Sequence, residues 1–417
     1  MKPSHATGLA AALVVVASST AAHAQPVERL RQGVAERDRP AYAARGIRTG
    51  SFILYPSIEE SIVHNDNIFA TDGGKVDDWI LETRPELRVE SNFSRHALYF
   101  EGGARNLKYF DNSSENHTDY AFGGGARVDI RRILTFNTDA KYEKGTEDRS
   151  SPDAVGAALE PVRYRHLEVN PELRYRPGRL SVTLGGALET YKFDNVAIQG
   201  GGFQNNKDRD RKVTGGYIRT ALEVSPGYEL FVQGLYNNIN YDNSLDDAGF
   251  DRDSNGYEVM GGMRFEITNV ITGEAAVGYT SRDYSDPRLK TISGVASEVG
   301  INWYVTRLTT LNFKVSRKIQ ETTLFGAAGY LNTTFEVGVD HELMRNLVLS
   351  ASGSYQQQKF DGIGRTDTYW EGRARAMYLL NRNLSVGGEY RRESRSSDAL
   401  FQDYGRNIFL LTFRGQI

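Results

Sequence analysis

The 417-residue sequence predicts an all-β fold, a closed up-and-down antiparallel transmembrane β-barrel of about 18 strands. Three observations lead to this prediction. Apolar and polar residues alternate with a period of two from residue 51 to the C-terminus. Short turns and long polar loops follow each other in alternation. The mean hydropathy of −0.49 excludes a bundle of membrane-spanning helices, because each helix would need roughly 20 mostly apolar residues.

Charge and cysteine content exclude several other classes of protein. Lys and Arg number 50, and Asp and Glu number 53, which gives a net charge of −3. A nucleic-acid-binding protein normally carries a basic face, so we expect no nucleic-acid partner. The sequence contains no Cys, which excludes a disulfide framework, Cys-ligated zinc and thiol catalysis.

Residues 1–24 have the order of a secretory signal peptide. Lys2 begins a short positive region, an apolar run covers residues 9–17, and small residues end in Ala22-His23-Ala24. The pattern predicts cleavage between Ala24 and Gln25 and an exported mature protein. The apolar run is too short to span a bilayer.

Residues 25–50 predict a charged periplasmic arm. The segment has little apolar content and carries six arginines between residues 29 and 48, against Glu28, Glu36 and Asp38. Such a composition is typical of a solvated segment. Two interpretations stay open: a flexible leader, or a segment that docks a periplasmic partner or enters the pore.

Residues 51–417 predict the outer-membrane barrel itself, because they read as strands with one apolar face. Between residues 180 and 189, Leu180, Val182 and Leu184 alternate with polar or small residues. The expected strands of roughly 12–16 residues exceed the globular mode of about 5–6 residues. Tilted by ~45°, they are long enough to cross a bilayer.

The connections between these strands are of two kinds. Short turns lie near residues 91–94, 131–132, 177–179, 225–227, 268–269, 306–307, 344–346 and 381–383. Longer polar loops lie near residues 65–78, 111–117, 145–161, 195–211, 242–254, 284–290, 320–327, 361–366 and 395–402. This arrangement predicts an up-and-down meander. The loops 145–161 and 195–211 are long enough to fold into the mouth, so we predict that they constrict or gate it.

The apolar face of each strand is predicted to face the lipid of a bacterial outer membrane. A soluble sandwich would have long open edges, which invite aggregation, whereas a closed barrel satisfies every backbone N–H and C=O group. Aromatic residues near strand ends suit interfacial girdles. These residues are Trp79, Tyr99, Tyr109, Phe110, Tyr142, Tyr191, Phe193, Tyr241, Tyr279, Tyr284, Trp303, Tyr304, Tyr355, Phe360, Tyr369 and Trp370.

The polar positions between the apolar ones are predicted to line an aqueous lumen, for which a barrel of this size is wide enough. The candidate lumen-lining residues are Glu82, Arg84, Glu86, Arg88, Glu101, Arg105, Glu168, Glu172, Arg174, Glu371, Arg373, Arg375, Glu389 and Arg391. Alternatively, each of these side chains only forms a solvated ion pair that braces the wall. Both signs of charge occur, so no simple ion selectivity is predicted. Hydroxyl and amide groups that suit a polar solute come from Ser350, Ser352, Ser354, Gln356 and Gln358.

A calcium site receives only weak support from the sequence. Residues 251–256 match the first six positions of an EF-hand loop, but Gly262 stands at the twelfth position, where a bidentate Glu is required. In addition, strand alternation resumes at Tyr257, whereas an EF-hand loop is followed by a helix. The weak candidate metal ligands are Asp251, Asp253 and Asn255.

Catalysis receives equally weak support, and we expect neither a cofactor nor enzyme activity. The histidines that survive signal cleavage show no HExxH or equivalent metal spacing. The pairs that share one strand face are His117 with Asp119 and His166 with Glu168, which is too little for a catalytic group.

Several local sequences carry a family resemblance. The sequence resembles the putative β-barrel porin 2 family of Gram-negative outer-membrane barrels at Gly50-Ser51-Phe52 through Asn65-Asp66-Asn67-Ile68-Phe69-Ala70-Thr71, then at Arg84-Pro85-Glu86-Leu87 and Ser94-Arg95-His96-Ala97-Leu98. In layout the resemblance covers nearly the whole mature chain. The last strand also resembles the assembly signal of such barrels, although the final residue is Ile417 where Phe is usual.

The resemblance implies an outer-membrane barrel associated with exopolysaccharide production and export, and it supplies no catalytic residues. We therefore expect a channel that takes part in export of an exopolysaccharide through a polar lumen, with a separate periplasmic export protein as conduit. Two alternatives stay open. One is a general diffusion porin for small hydrophilic solutes, and the other is a structural or adhesive barrel that acts through its long extracellular loops.

Overall fold

The computed structural model describes residues 33–417, so the predicted signal peptide and the first part of the predicted arm lie outside the described residues. Eighteen long strands of 13–16 residues account for most of the described chain. Two single turns of 3-10 helix lie in connections, at Ser113–Glu115 and Lys207–Arg209. No helix among the described residues is long and apolar enough to span a membrane.

The strands follow the predicted order. The long strands are β2 Phe52–Asn65, β3 Asp78–Ser91, β4 Ala97–Tyr109, β5 His117–Arg131, β6 Leu134–Thr146, β7 Arg163–Tyr175, β8 Leu180–Phe193, β11 Arg211–Ser225, β12 Tyr228–Tyr241, β13 Ser254–Ile267, β14 Ile271–Tyr284, β15 Ile292–Thr306, β16 Thr309–Glu321, β17 Gly329–Met344, β18 Leu347–Phe360, β19 Thr366–Leu379, β20 Leu384–Ser397 and β21 Tyr404–Gln416. The short strands are β1 Ile47–Thr49, β9 Val196–Ala197 and β10 Phe203–Gln204.

Each long strand pairs antiparallel with the next one, and the last strand closes on the first. β21 pairs with β2 from Ser57 opposite Gln416 to Asn65 opposite Ile408. The wall therefore has eighteen strands without a free edge, which satisfies the backbone in lipid. The predicted closed up-and-down barrel is confirmed, and the sandwich alternative is wrong.

Alternation separates an outer face from an inner face of the wall. On β8, Leu184 and Leu188 are half exposed, whereas Glu189 and Tyr191 are buried on the opposite face. Leu184 stands opposite Ile218 of β11, which is also half exposed. Exposed apolar side chains of this kind occur round the whole barrel, and in a bilayer they contact lipid.

The predicted aromatic girdle is only partly correct. The outward-facing members are Trp79, Tyr142, Tyr279, Trp303, Tyr355 and Trp370, while Phe110 lies exposed in a connection. The prediction is wrong for the members that face inward, which are Tyr99, Tyr109, Tyr191, Phe193, Tyr241, Tyr284, Tyr304, Phe360 and Tyr369. The reason is that position near a strand end sets the depth of a ring, whereas odd or even position along the strand sets its side.

Residues 33–46 contact the periplasmic end of the barrel, where the short turns lie. Val34 is fully buried, and its N–H donates to Thr310 Oγ1 on the inner face of β16 at 3.0 Å. Arg39 lies 3.2 Å from Glu342 of β17. Among the described residues, this part of the arm thus lies against the pore wall and does not extend freely into solvent.

Candidate functional site: a charged lumen beneath an obstructed mouth

The structure places all fourteen candidate lumen residues on the inner faces of their strands, which are β3, β4, β7, β19 and β20. Midway along the barrel, inward side chains remain in contact with water. Lys314 is 68% exposed and Glu336 is 49% exposed. Charges in this central part of the lumen can therefore keep their hydration.

The wall formed by β19 and β20 carries a ladder of alternating charges. Arg373 lies 2.8 Å from Glu371 and 3.5 Å from Glu389 on the neighbouring strand. Arg391 lies 2.8 Å from the same Glu389 and 3.6 Å from Glu393. Because each guanidinium bridges two carboxylates, this part of the wall is close to neutral and its side chains are held in place.

A second network joins β3 to the strands on both sides of it. The buried Glu82 accepts a hydrogen bond from Arg105 of β4 at 2.9 Å and also contacts Arg84. Arg414 of β21 lies 3.6 Å from Glu59 of β2. These carboxylates have cationic partners, so this sector also contributes little net charge.

The wall formed by β4 to β8 differs, because its inward-facing acids outnumber its bases by eight to four. The acids are Glu101, Asp119, Asp129, Asp139, Glu143, Glu168, Glu172 and Glu189, and the bases are Arg105, Arg127, Lys141 and Arg174. Glu101, Asp139 and Glu168 have no ion-pair partner within 4.0 Å among the described residues. The Asn170 amide instead donates to Asp139 at 3.0 Å and to Glu168 at 2.6 Å.

The wall formed by β13 to β18 carries a similar excess, with eight inward-facing acids and four bases. The acids are Glu258, Glu266, Glu274, Glu298, Glu321, Glu336, Asp340 and Glu342, and the bases are Arg264, Arg282, Lys314 and Lys318. The lumen therefore has two acidic sectors separated by sectors in which the charges balance.

The connection between β6 and β7, residues 147–162, folds inward across the extracellular mouth. Asp148 lies 3.3 Å from Arg406 of β21, and the Ser150 carbonyl accepts a hydrogen bond from Arg395 of β20 at 3.1 Å. Five strands of the wall separate β21 from the loop's own position, and six separate β20 from it. The loop thus bends into the mouth, as predicted.

The tip of this loop reaches the opposite side of the barrel. Asp153 accepts hydrogen bonds from Thr322 Oγ1 at 2.6 Å and from the Thr323 N–H at 3.3 Å. Both threonines lie in the connection between β16 and β17, eight strands away round a wall of eighteen. The loop consequently spans nearly the full mouth, while a gating role stays a prediction.

The second predicted constriction loop, which the strand bounds place at residues 194–210, packs on the first. The Leu159 N–H donates to the Ala197 carbonyl at 2.9 Å, and Arg209 lies 2.6 Å from Glu147. A buried apolar cluster fixes both loops to the inner wall and consists of Ala158, Val162, Tyr164, Tyr191, Phe193, Val196, Val213, Ile239 and Tyr241. The two loops therefore form one cover over the mouth.

Sequence reasoning missed Arg252, which ties two further connections together. Its side chain is almost fully buried and forms an ion pair with Asp246 at 2.5 Å. Its guanidinium also donates to the carbonyls of Thr322 and Ala327, both at 2.8 Å, and of Leu324 at 3.2 Å. The sequence gives no signal for this role, because the surrounding Asp residues read as an ordinary turn.

Two carboxyl groups in the cover have shifted pKa values. Enclosure in the mouth would raise the pKa of Asp148, but the Arg406 guanidinium and the Ser150 N–H hold it well below its ordinary value. Burial and the negative charge of Asp247 raise the pKa of Asp208. Asp148 therefore keeps its charge over the usual pH range, whereas Asp208 is protonated earlier on acidification.

The weak candidate metal ligands do not converge on one point. Asp253 accepts the Tyr241 N–H at 2.7 Å, and Asp251 accepts the N–H of Asp253 at 3.0 Å. Asn255 is exposed on the outer face of β13 and accepts a hydrogen bond from Tyr236 at 2.8 Å. In residues 33–417, no group of three His, Asp or Glu side chains is arranged to hold a metal ion.

The two histidine pairs make local structural contacts. His166 shares the inner face of β7 with Glu168, as expected, and its ring lies 3.3 Å from Glu189 of the neighbouring strand. His117 lies 3.7 Å from Asp119 and contacts the backbone of the preceding connection. These contacts orient the rings within the wall and give no support to a catalytic group.

Comparison with known families identifies this architecture. A family model described as "Putative beta-barrel porin 2" matches residues 39–417. The chain belongs to this family. The resemblance drawn from the sequence is thereby confirmed, and the protein is an outer-membrane β-barrel porin. The association of this porin with an exopolysaccharide stays a prediction.

Solved structures similar to this porin are also outer-membrane proteins. They include the outer membrane protein opdK from Pseudomonas aeruginosa, at 12% identity and a TM-score of 0.44, covering 87% of this chain and 99% of that chain. Pseudomonas aeruginosa OccK2 (OpdF), solved in complex with glucuronate, has 10% identity, a TM-score of 0.47 and coverages of 89% and 100%. The copper transporter OprC has 9% identity, a TM-score of 0.48 and coverages of 89% and 82%. Such weak similarity carries no argument about the solute, and no curated protein matches the chain.

Proposed function

We propose that this porin is a passive channel for small hydrophilic solutes, with restricted entry at the extracellular mouth. One observation carries the proposal: a hydrated, charged lumen ends beneath a loop that spans nearly the full mouth, from Asp148 at β21 to Asp153 at the β16–β17 connection. Small solutes can pass beside such a loop, whereas a bulky chain would require its displacement. The role needs no chemical step, so we propose no enzyme activity.

Reconstitution of the mature chain tests the channel function. In planar bilayers it should give discrete conductance steps. In liposome-swelling assays it should admit monosaccharides faster than trisaccharides, because the loop restricts the mouth. Protein that is folded, as shown by heat-modifiable migration in gels, but that gives neither conductance nor swelling would refute the proposal.

Export of an exopolysaccharide is a second candidate, supported by the family resemblance and by one face of the lumen. On β18 the inward positions carry hydroxyl and amide groups, which can exchange hydrogen bonds with a glycan: Ser350, Ser352, Ser354, Gln356 and Gln358. Loss of the protein in its host should then trap polymer in the periplasm. Unchanged polymer at the cell surface would rule out this candidate.

A further inference from the structure

The charges of this porin are distributed unevenly along the barrel axis. Its nine extracellular connections contain 21 Asp and Glu residues against eight Lys and Arg residues. Its eight periplasmic turns contain seven Arg residues and no Asp or Glu. The net charge of −3 conceals this difference, because the basic turns offset about half of the extracellular excess of 13 negative charges. A cation that approaches from outside therefore meets an acidic surface.

The lumen continues this acidic character along two of its walls. On β4 to β8 the acids outnumber the bases by eight to four, and one of those bases, Arg105, is already bound to Glu82 of β3. Glu101, Asp139 and Glu168 have no ion-pair partner among the described residues. Since they face water, their negative charge acts on whatever enters the lumen.

From the acidic mouth and the acidic walls together, we propose that the channel prefers cations, both inorganic ions and small amines, over anions. The inference rests on the proposed channel function and names its class of solute. A cleft of one sign with low-dielectric walls focuses the field and raises the local concentration of counter-ions. The Debye length of about 8 Å at physiological salt lets wall carboxylates act on ions that pass near them. No discrete ion site is needed for this effect.

The test is the reversal potential of reconstituted wild-type protein across a gradient of potassium chloride. We expect a permeability ratio of K⁺ to Cl⁻ several-fold above one. Raising the salt toward 1 M should bring the ratio closer to one, because the Debye length falls to about 3 Å. A small organic amine chloride should likewise give a ratio in favour of the amine.

A matched pair of double variants links the preference to the lumen. The double variant Asp139→Asn with Glu168→Gln removes two inward charges and should lower the permeability ratio at least twofold. The new amide oxygens can still accept the hydrogen bonds that the Asn170 amide donates. Asp283→Asn with Glu60→Gln makes the same chemical changes on the outer face and should leave the ratio unchanged.

The outcomes separate this inference from the channel function. Clear conductance with a ratio at or below one overturns the cation preference and leaves the channel function in place. A wild-type ratio above one that falls equally in both double variants, or in neither, overturns the assignment of the preference to the acidic lumen walls. Folded protein without any conductance overturns the channel function and the preference with it.

Discussion

Arg252 holds together the two extracellular connections on the far side of the mouth, residues 242–253 and 322–328. It is buried between two extracellular connections and carries an ion pair together with three hydrogen bonds to backbone carbonyls. A charge can be buried in this way only when its partners replace the water it loses. The rest of the barrel does not depend on it, because the wall is held by strand pairing.

The first prediction concerns this residue. Arg252→Met should destabilise the 242–253 and 322–328 connections locally by about 3–5 kcal/mol, because Asp246 and three carbonyls lose their partner. Hydrogen exchange of these segments should accelerate, while heat-modifiable migration of the barrel stays normal. Lys290→Gln is the control, since Lys290 is exposed in the neighbouring β14–β15 connection, and it should change little. Unchanged exchange in Arg252→Met would contradict the assigned role.

The second prediction uses the pH dependence of Asp208 in the second cover loop. Its folded-state pKa is raised by burial and by Asp247, so the docked loop prefers the neutral carboxyl. Docking should therefore be strongest below the ordinary pKa of a free Asp and should weaken as the pH rises through the raised value. Proteolysis of residues 194–210 should accelerate over that range in the wild type and stay flat in Asp208→Asn. The same pH dependence in both proteins would exclude Asp208 as the titrating group.

At the scale of the element, the two cover loops behave as one unit. They are joined to each other by hydrogen bonds, by the Arg209–Glu147 ion pair and by a shared apolar cluster with the inner wall. Loops normally run over the surface and are mobile. These two instead carry buried apolar side chains, which explains how a connection can hold a fixed position across a wide opening.

The third prediction concerns the first of these loops. Replacing residues 148–160 with a short Gly/Ser turn should raise the single-channel conductance several-fold, because contacts to β20, β21 and the β16–β17 connection are lost. The control is deletion of Gly73 and Gly74, which are exposed at the tip of the β2–β3 connection. Conductance that is equal in both variants and in the wild type would refute a constricting role.

At the scale of the whole molecule, the barrel has an apolar exterior and a charged interior, which is the reverse of a soluble protein. The exterior is exposed in the isolated chain because lipid is its solvent. Polar side chains inside need not be excluded, since the lumen holds water. The same substitution should therefore have opposite consequences on the two faces.

The fourth prediction tests this difference at mid-barrel. Val277→Arg, on the outer face of β14 where the side chain is 62% exposed, should cost about 2–4 kcal/mol of folding stability in lipid vesicles. Ser352→Arg, on the inner face of β18, should leave the stability nearly unchanged. The measurement is denaturant unfolding in vesicles, and equal losses for both variants would contradict the assigned faces.

Much of the fold could be predicted because its signals are local. The period of two and the spacing of turns give the strand number, and the observed lengths of 13–16 residues fall within the predicted range. The inward placement of residues such as Glu371 and Arg373 follows from the same period. The prediction is wrong for the sides of Tyr191 and Tyr241, because nearness to a strand end sets the depth of a ring, whereas odd or even position along the strand sets its side.

The partners inside the mouth could not be predicted in the same way. Asp148 and Arg406 are 258 positions apart, and Thr322 meets Asp153 across nearly the full diameter. A polar loop of the same sequence can extend into solvent, pack on a neighbouring loop or fold into the lumen. Only closure of the wall sets the distances that decide among them.

By itself, the sequence of this porin determined which residues form strands, how many there are and which face of each strand is apolar, because a side-chain period of two is a property of the extended backbone. The tertiary structure alone decided that residues 147–162 cross the mouth, that Arg252 holds its far side and that two walls of the lumen are acidic. Each of these depends on which distant strands become neighbours, and that is fixed only when the barrel closes.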